Sequence, residues 1–435
     1  VLAHGGRNAE REALRILLGV RAGSVIDDLL RGRRREASEA VRVALARIRD
    51  RLLGNESDWG DVRGRALRRE VVQLERTMKW GPEHESIPGV DALCSNGSLS
   101  WDIANVDVPV VVYDQSGTGW RAFVRDGRRS VRCVELPEAM EALREEWIPS
   151  RMMLETLART DQPARERLIQ RTCPEAVEAL RKLAAALWLP LGLTAKHAVL
   201  VATGPINGIP LEAATLEALG DKAPILSRVP HPGLLRDAPP RNRRHALLVE
   251  GTVPGAALEL SRVQHHLSKR GWSSRTVRTR NSFAARPERC GVIHFATHGS
   301  YHRTAWISNG LQMPDGWIGF EQLEPRQVKD ALLYFDSCES GLQHSAPGAQ
   351  LDGWASAAFA AGAHESVLHL WKLDDASATG IADEFYAAWT AGTPAARAMH
   401  EARAAVRAAH PHPFHWAGGI VASRQNPDRI TDRNS

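Results

Sequence analysis

The sequence predicts an α/β protein built on a mostly parallel sheet, preceded by an N-terminal helical segment. Three observations carry this. Short apolar runs closed by glycine, "HAVLVATG", "HALLVEG", "CGVIHFATHG" and "ALLYFDSCESG", recur through the second half, with "ESVLHLWKL" of the same form. Amphipathic helical stretches separate them, among them "LELSRVQHHLSKRG", "GWASAAFAAGA" and "ATGIADEFYAAWTAG". Strands apolar along their whole length belong to a sheet covered on both faces, and alternation with helices makes it parallel. In such sheets binding sites form at the carboxyl ends of the strands.

The elements follow in order. Residues 8–80 place Leu, Val or Ile at helical spacing, as in "EASEAVRVALARIRDRLL", and the capping turn "GNESDWGD" separates two of these helices. The arginine cluster "RGRRREASEAVR" is interleaved with acids, so it reads as a solvated helix face and not as a nucleic-acid footprint. Near residue 85 the composition changes. "VPVVVYDQSGTGWRAFVRDGRRSVRCVELP" reads as two β-rich runs about the turn "QSGTG", a hairpin signal. Helical sequence returns from "EAMEALREEW" to "AVEALRKLAAALWLPL", and the strand–helix alternation follows.

Bulk properties narrow the function. The 435 residues carry a net charge of +5, are 43% hydrophobic and are enough for two or three cores. No apolar run approaches the roughly 20 residues that cross a membrane, and no signal-peptide core opens the chain. The five cysteines (94, 133, 173, 290, 338) are scattered and form no CxxC pair. They argue for a reducing cytoplasm and against a disulfide framework or a structural zinc site. No cofactor or metal is expected, and no acidic calcium loop is evident.

Two strand ends carry reactive side chains. "VIHFATHGS" places His294 inside the strand, as a hydrogen-bonded core histidine, and His298 in the loop beyond it. Gly299 lets the backbone pass close to a ligand and leaves an N–H to point at it. A loop histidine at a strand end can also serve simply as a cap, the lesser reading once Cys338 is considered. "DSCESG" places Cys338 at the second strand end, in a polar, glycine-containing turn. A thiol attacks as thiolate and needs a histidine or another positive group beside it. Adjacent parallel strands would bring His298 to Cys338 despite the intervening 40 residues.

These blocks resemble the CHAT domain, a caspase-like cysteine peptidase domain often attached to tetratricopeptide repeats. "GVIHFATHGSYH", "LLYFDSCESG", "DGWASAAFAAGAHESVLHLWKLDDASATGIADEFYAAW" and "HPHPFHWAGGIVAS" occur in that family's order, and the likeness extends back to about residue 88. The resemblance implies a caspase-like three-layer sandwich and a Cys–His dyad. Cys338 matches the nucleophile and His298 the general acid or base; Gly299 and Cys338 match the oxyanion-hole positions. Asp336 matches an acid that lines a pocket for Arg or Lys in metacaspases and paracaspases, and Asp374 and Asp375 match paired acids after the "LW" strand. Acids there also serve as helix or loop caps. Glu339 departs from the small or neutral residue usual beside the nucleophile, and inward-facing it would raise the thiol pKa.

The expected organisation is a helical region, 1–85, for docking, sensing or regulation; a degenerate half, 86–285; and a catalytic half, 286–435. The expected function is a cysteine endopeptidase cleaving a protein substrate after a basic residue, gated by a protein partner or signal at the N-terminal helices. The family suggests bacterial defence as the setting. The alternative is a catalytically silent scaffold on the same fold.

Overall fold

The computed structural model describes Asp50 and residues 108–425, less the segments 117–118, 127–129, 202–203, 236–242, 285–288, 302–308, 324–327, 343 and 347–349. The helical expectation for 1–85, Asp50 apart, lies outside the described residues, as do Cys94 and His302.

One sheet of eleven strands runs through the described chain. Its strands are β1 (Val110–Ser116), β2 (Gly119–Asp126), β3 (Ser130–Glu135), β4 (His197–Val201), β5 (Ile225–Arg228), β6 (His245–Glu250), β7 (Ser273–Val277), β8 (Val292–Ala296), β9 (Leu332–Asp336), β10 (Glu365–His369) and β11 (Gly419–Ser423). The spatial order is β3-β2-β1-β4-β5-β11-β10-β9-β8-β6-β7. Pairing is antiparallel from β3 to β1 and between β11 and β10, and parallel elsewhere. The first β-rich stretch forms three strands where the sequence suggests two, because Ser130–Glu135 pairs back antiparallel on β2, Ser130 opposite Asp126.

The central strands β8 and β10 are buried along their whole length, as expected of a sheet covered on both faces. The main helices are α1 (Ile148–Arg159), α2 (Gln162–Leu187), α3 (Leu211–Leu219), α4 (Ala256–Lys269), α5 (Trp354–Ala360), α6 (Asp375–Thr390) and α7 (Ala395–Ala409). Neighbouring residues of a strand face opposite sides of a sheet. In β9 Tyr334 packs 5.5 Å from Tyr386 of α6, whereas Phe335 packs 5.1 Å from Trp354 of α5. The sheet therefore lies between helices, in three layers.

The β5–β11 contact joins the two halves of the sheet through the single register pair Ala422↔Arg228. Beside it Arg228 makes a buried bidentate pair with Glu212 of α3, at 2.7 Å for both arms, and donates to the Asn207 and Ile209 carbonyls. Strands β6 and β7, which precede residue 285, sit beyond β8 and extend its end of the sheet.

Candidate active site

The parallel register between β8 and β9 pairs Leu332 with Val292 and continues residue by residue to Asp336 with Ala296. Two further residues along each chain are His298 and Cys338. Register alone thus sets these two loops side by side, and both residues line one cleft. Asp336, Asp375, Glu259, His369 and Lys372 also line it.

The glycine after His298 is required by proximity. A Cβ at Gly299 would lie 2.6 Å from the Cys338 carbonyl oxygen and 3.2 Å from its nitrogen. The Gly299 backbone beside it favours the Cys338 thiolate. Gly299 and Ser300 pair with Leu311 and Gly310, so a hairpin of residues 310–318 braces this segment.

The Cys338 thiol is pushed up to about 11, first by desolvation, with Asp336 and Glu339 adding; Lys372 and the Gly299 backbone pull the other way. His298 is lowered by burial and then by Lys372, against the pull of Asp375. At neutral pH the resting pair is therefore thiol and neutral imidazole.

Beneath the cleft lies a buried polar cluster. His294 is fully enclosed, with Nε2 2.6 Å from Glu259 Oε1 and Nδ1 3.1 Å from the Tyr386 hydroxyl. It is the hydrogen-bonded core histidine its mid-strand position suggests. Asp336 stands 3.6 Å from His369 Nε2, and its enclosed carboxyl meets that of Glu259. Burial raises Asp336 well above the usual carboxylate range, and the charge of Glu259 raises it further. Glu259 is raised by burial as well. The cleft floor thus holds two acids that bind protons where ordinary carboxylates have released them.

The structure separates the two acids after the "LW" strand. Asp375 lines the cleft and accepts from the Gly255 N–H at 3.0 Å. Asp374 does not line it. It is the N-cap of α6, accepting from Ser377 N at 2.8 Å and pairing with Arg165 at 3.2 Å. Substrate contact was expected at Asp374; the structure engages its carboxylate at the helix end, where a side-chain acceptor satisfies an otherwise orphaned N–H.

Sequence reasoning overlooked Glu259, His369 and Lys372. One signal existed for Glu259: it shares the buried face of α4 with Ala256, Leu260 and Val263, where a charged residue is out of place.

A family model described as the CHAT domain matches residues 177–424, more than half of the chain. The chain belongs to the CHAT domain family. No curated protein matches it in sequence. Among solved structures, this CHAT protein resembles separase in the Saccharomyces cerevisiae separase–securin complex, with a TM-score of 0.51 and 11% identity over 73% of this chain. The match spans 30% of the separase chain. The Arg-specific cysteine proteinase gingipain R matches at a TM-score of 0.38 and 12% identity, over 57% of this chain and 67% of that one. Porphyromonas gingivalis RgpB, solved with its pro- and mature domains, matches at 0.39 and 12%, over 57% and 69%. The CHAT domain here has the mixed α/β fold of caspase-like cysteine peptidases. Among the described residues no helix is long and apolar enough to cross a membrane, and no cluster of side chains could hold a metal ion.

Proposed function

We propose that the chain is a cysteine endopeptidase acting through a Cys338–His298 dyad on a protein substrate, after a basic residue. The observation that carries this reading is the convergence of both side chains, with the Gly299 backbone, on one cleft at adjacent strand ends.

As the thiol nears a peptide carbonyl, His298 takes the sulfur proton and Cys338 Sγ bonds to the carbonyl carbon. The oxyanion that forms is met by the N–H groups of Gly299 and Cys338, a contribution of about 3 kcal/mol for a well-aimed donor. His298 then protonates the leaving amine as the C–N bond breaks, leaving a thioester. Water, deprotonated by His298, releases the acid and restores the thiol. A neutral imidazole is the form this base needs, and burial with Lys372 favours it. No carboxylate is assigned to orient His298 in this reading, so the pair works as a dyad.

Selection of a basic side chain is assigned to Asp336 at the cleft floor, with Glu259 behind it and Asp375 at the rim. An entering guanidinium or ammonium would displace the protons these acids retain and pair with the resulting charge. Gating by a protein partner is assigned to the N-terminal region 1–85. Asp50 supports this, since its carboxylate reaches Arg280 at 2.7 Å and Trp317 N at 3.1 Å, on the hairpin that braces Gly299. The solved separase carries securin, which is consistent with a protein partner here. A degenerate half over 86–285 and a catalytic half over 286–435, a cytoplasmic setting resting on the free cysteines, and a role in bacterial defence belong to the same proposal.

The scaffold reading is favoured by one observation, the thiol pushed up to about 11. The deciding experiment compares wild type and Cys338→Ala on fluorogenic peptides that differ only at the residue before the scissile bond, with and without candidate partners. Cleavage by the wild type alone, fastest after Arg, is expected. Equal activity in both proteins ends the peptidase assignment at this site, and faster cleavage after Leu or Asp ends the basic specificity.

A further inference from the structure

Glu339, directly after the candidate nucleophile, has φ +57°, left-handed backbone that a non-glycine residue keeps only where its surroundings hold it. The group that holds it comes from far away in sequence. Arg151 of α1 directs Nη2 to Glu339 Oε1 at 3.1 Å and Nη1 to the Leu370 carbonyl at 2.6 Å. Its Nε donates to Glu155 Oε1 at 3.0 Å, and its guanidinium carbon lies 6.0 Å from the Trp371 ring centroid. One planar fork thus grips both walls of the cleft, the turn that carries Cys338 and the segment after β10 that carries Trp371 and Lys372. The walls are also stitched directly, with His369 N donating to Ser340 Oγ at 3.0 Å and Gly341 N to the His369 carbonyl at 2.8 Å. The Arg151 side chain is 13% exposed, so this is a held pair and not a loose surface one.

We propose that Arg151 is a positioning residue for the cleft: it holds the Cys338 turn against the wall that follows β10 and neutralises Glu339, so that α1, in the half expected to be silent, completes the active half. This rests on Cys338 being the reactive thiol, though not on the substrate. The charged groups facing Cys338 are Lys372, Asp336 and Glu339; those facing His298 are Lys372 and Asp375; and Arg151 itself also faces Glu155. Removing Arg151 takes away the cation that pairs with the Glu339 charge raising the thiol, whereas removing Glu339 takes away that charge itself.

The test follows alkylation of Cys338 by iodoacetamide in the full chain from pH 7 to 10. Mass spectrometry of the Cys338 peptide keeps the other four cysteines out of the signal. A charge uncovered at this range moves the thiol by roughly half a pH unit, or about threefold in rate at fixed pH. Arg151→Gln is expected to react about threefold slower than wild type and Glu339→Gln about threefold faster, with the double variant back at the wild-type rate. A residue that merely supports the fold would not give opposite signs that cancel. Superimposed profiles for Arg151→Gln and wild type overturn the proposal, as does a double variant that keeps the shift. Should Arg151→Gln not fold, Glu339→Gln decides alone: a rate equal to or below wild type overturns it. Alkylation needs no substrate, so the outcome is independent of whether Cys338→Ala abolishes peptide cleavage.

Discussion

Replacing Gly299 by Ala probes the closest approach in the candidate site. The added Cβ would stand 2.6 Å from the Cys338 carbonyl oxygen, 3.1 Å from Ser337 Cβ and 3.2 Å from Cys338 N. Carbon and oxygen rest no closer than about 3.3 Å even in their tightest favourable contacts, so the two turns must part by about 0.7 Å. Neither side yields easily. The β8–β9 ladder fixes both strand ends, Leu311 pairs with Gly299 itself, and Gly341 N ties the Cys338 turn to the His369 carbonyl. Overpacking of this kind costs about 1–3 kcal/mol. The same displacement draws the Gly299 backbone away from the thiol it lowers and spoils the alignment of His298 with Cys338, for which a shift near 1 Å costs about 100-fold. Expected are a lower urea midpoint, slower Cys338 alkylation at fixed pH, and a loss of peptide cleavage of about 30- to 100-fold under the proposed function. A variant within twofold of wild type in alkylation, with an unchanged midpoint, refutes the close approach as the reason for glycine.

Two further perturbations address the acids. Glu259 and Asp336 hold protons in the folded protein at pH values where the unfolded chain, with carboxylates near 4, has released them. The unfolded state then binds fewer protons, so stability is full below about pH 4 and falls as pH rises toward the folded ionisations. Glu259→Gln keeps an acceptor for His294 but has no proton to lose, so its urea midpoint should decline less between pH 5 and 8 than that of wild type; equal declines would contradict the buried-proton account. Asp374→Ala removes the α6 cap and should cost about 1 kcal/mol in urea unfolding while leaving KM for a basic peptide unchanged. A raised KM at full stability would return Asp374 to the binding surface.

Much of the fold was readable because its strands are buried on both faces. The runs that become β4, β6, β8, β9 and β10 each carry an apolar stretch, and turn residues bound them. Among the strands missed, β11 is buried throughout and two others lack that mark. β7, "SSRTV", is a partly exposed edge strand with alternating polar residues, and β5, "ILSR", is four residues long and ends in the buried Arg228. Cys338 and His298 stand out because reactive residues at glycine-bearing strand ends are few. Glu259 and Arg151 do not stand out, since each lies on a helix remote in sequence from the residues it serves.

What the sequence by itself determined is therefore local: period, burial, turn chemistry, and the residues on the two strand ends, together with the motif order that marks a CHAT domain. Tertiary structure alone decided the pairings between distant segments. It set the β8–β9 register that places His298 opposite Cys338, it turned Asp374 to its helix cap while Asp375 stayed in the cleft, and it met Glu339 with Arg151 from 188 residues away. The reason is physical. A hydrophobic period reports which face of an element is buried, whereas register and ion-pair partners depend on which buried faces meet, and that is a property of the packed whole.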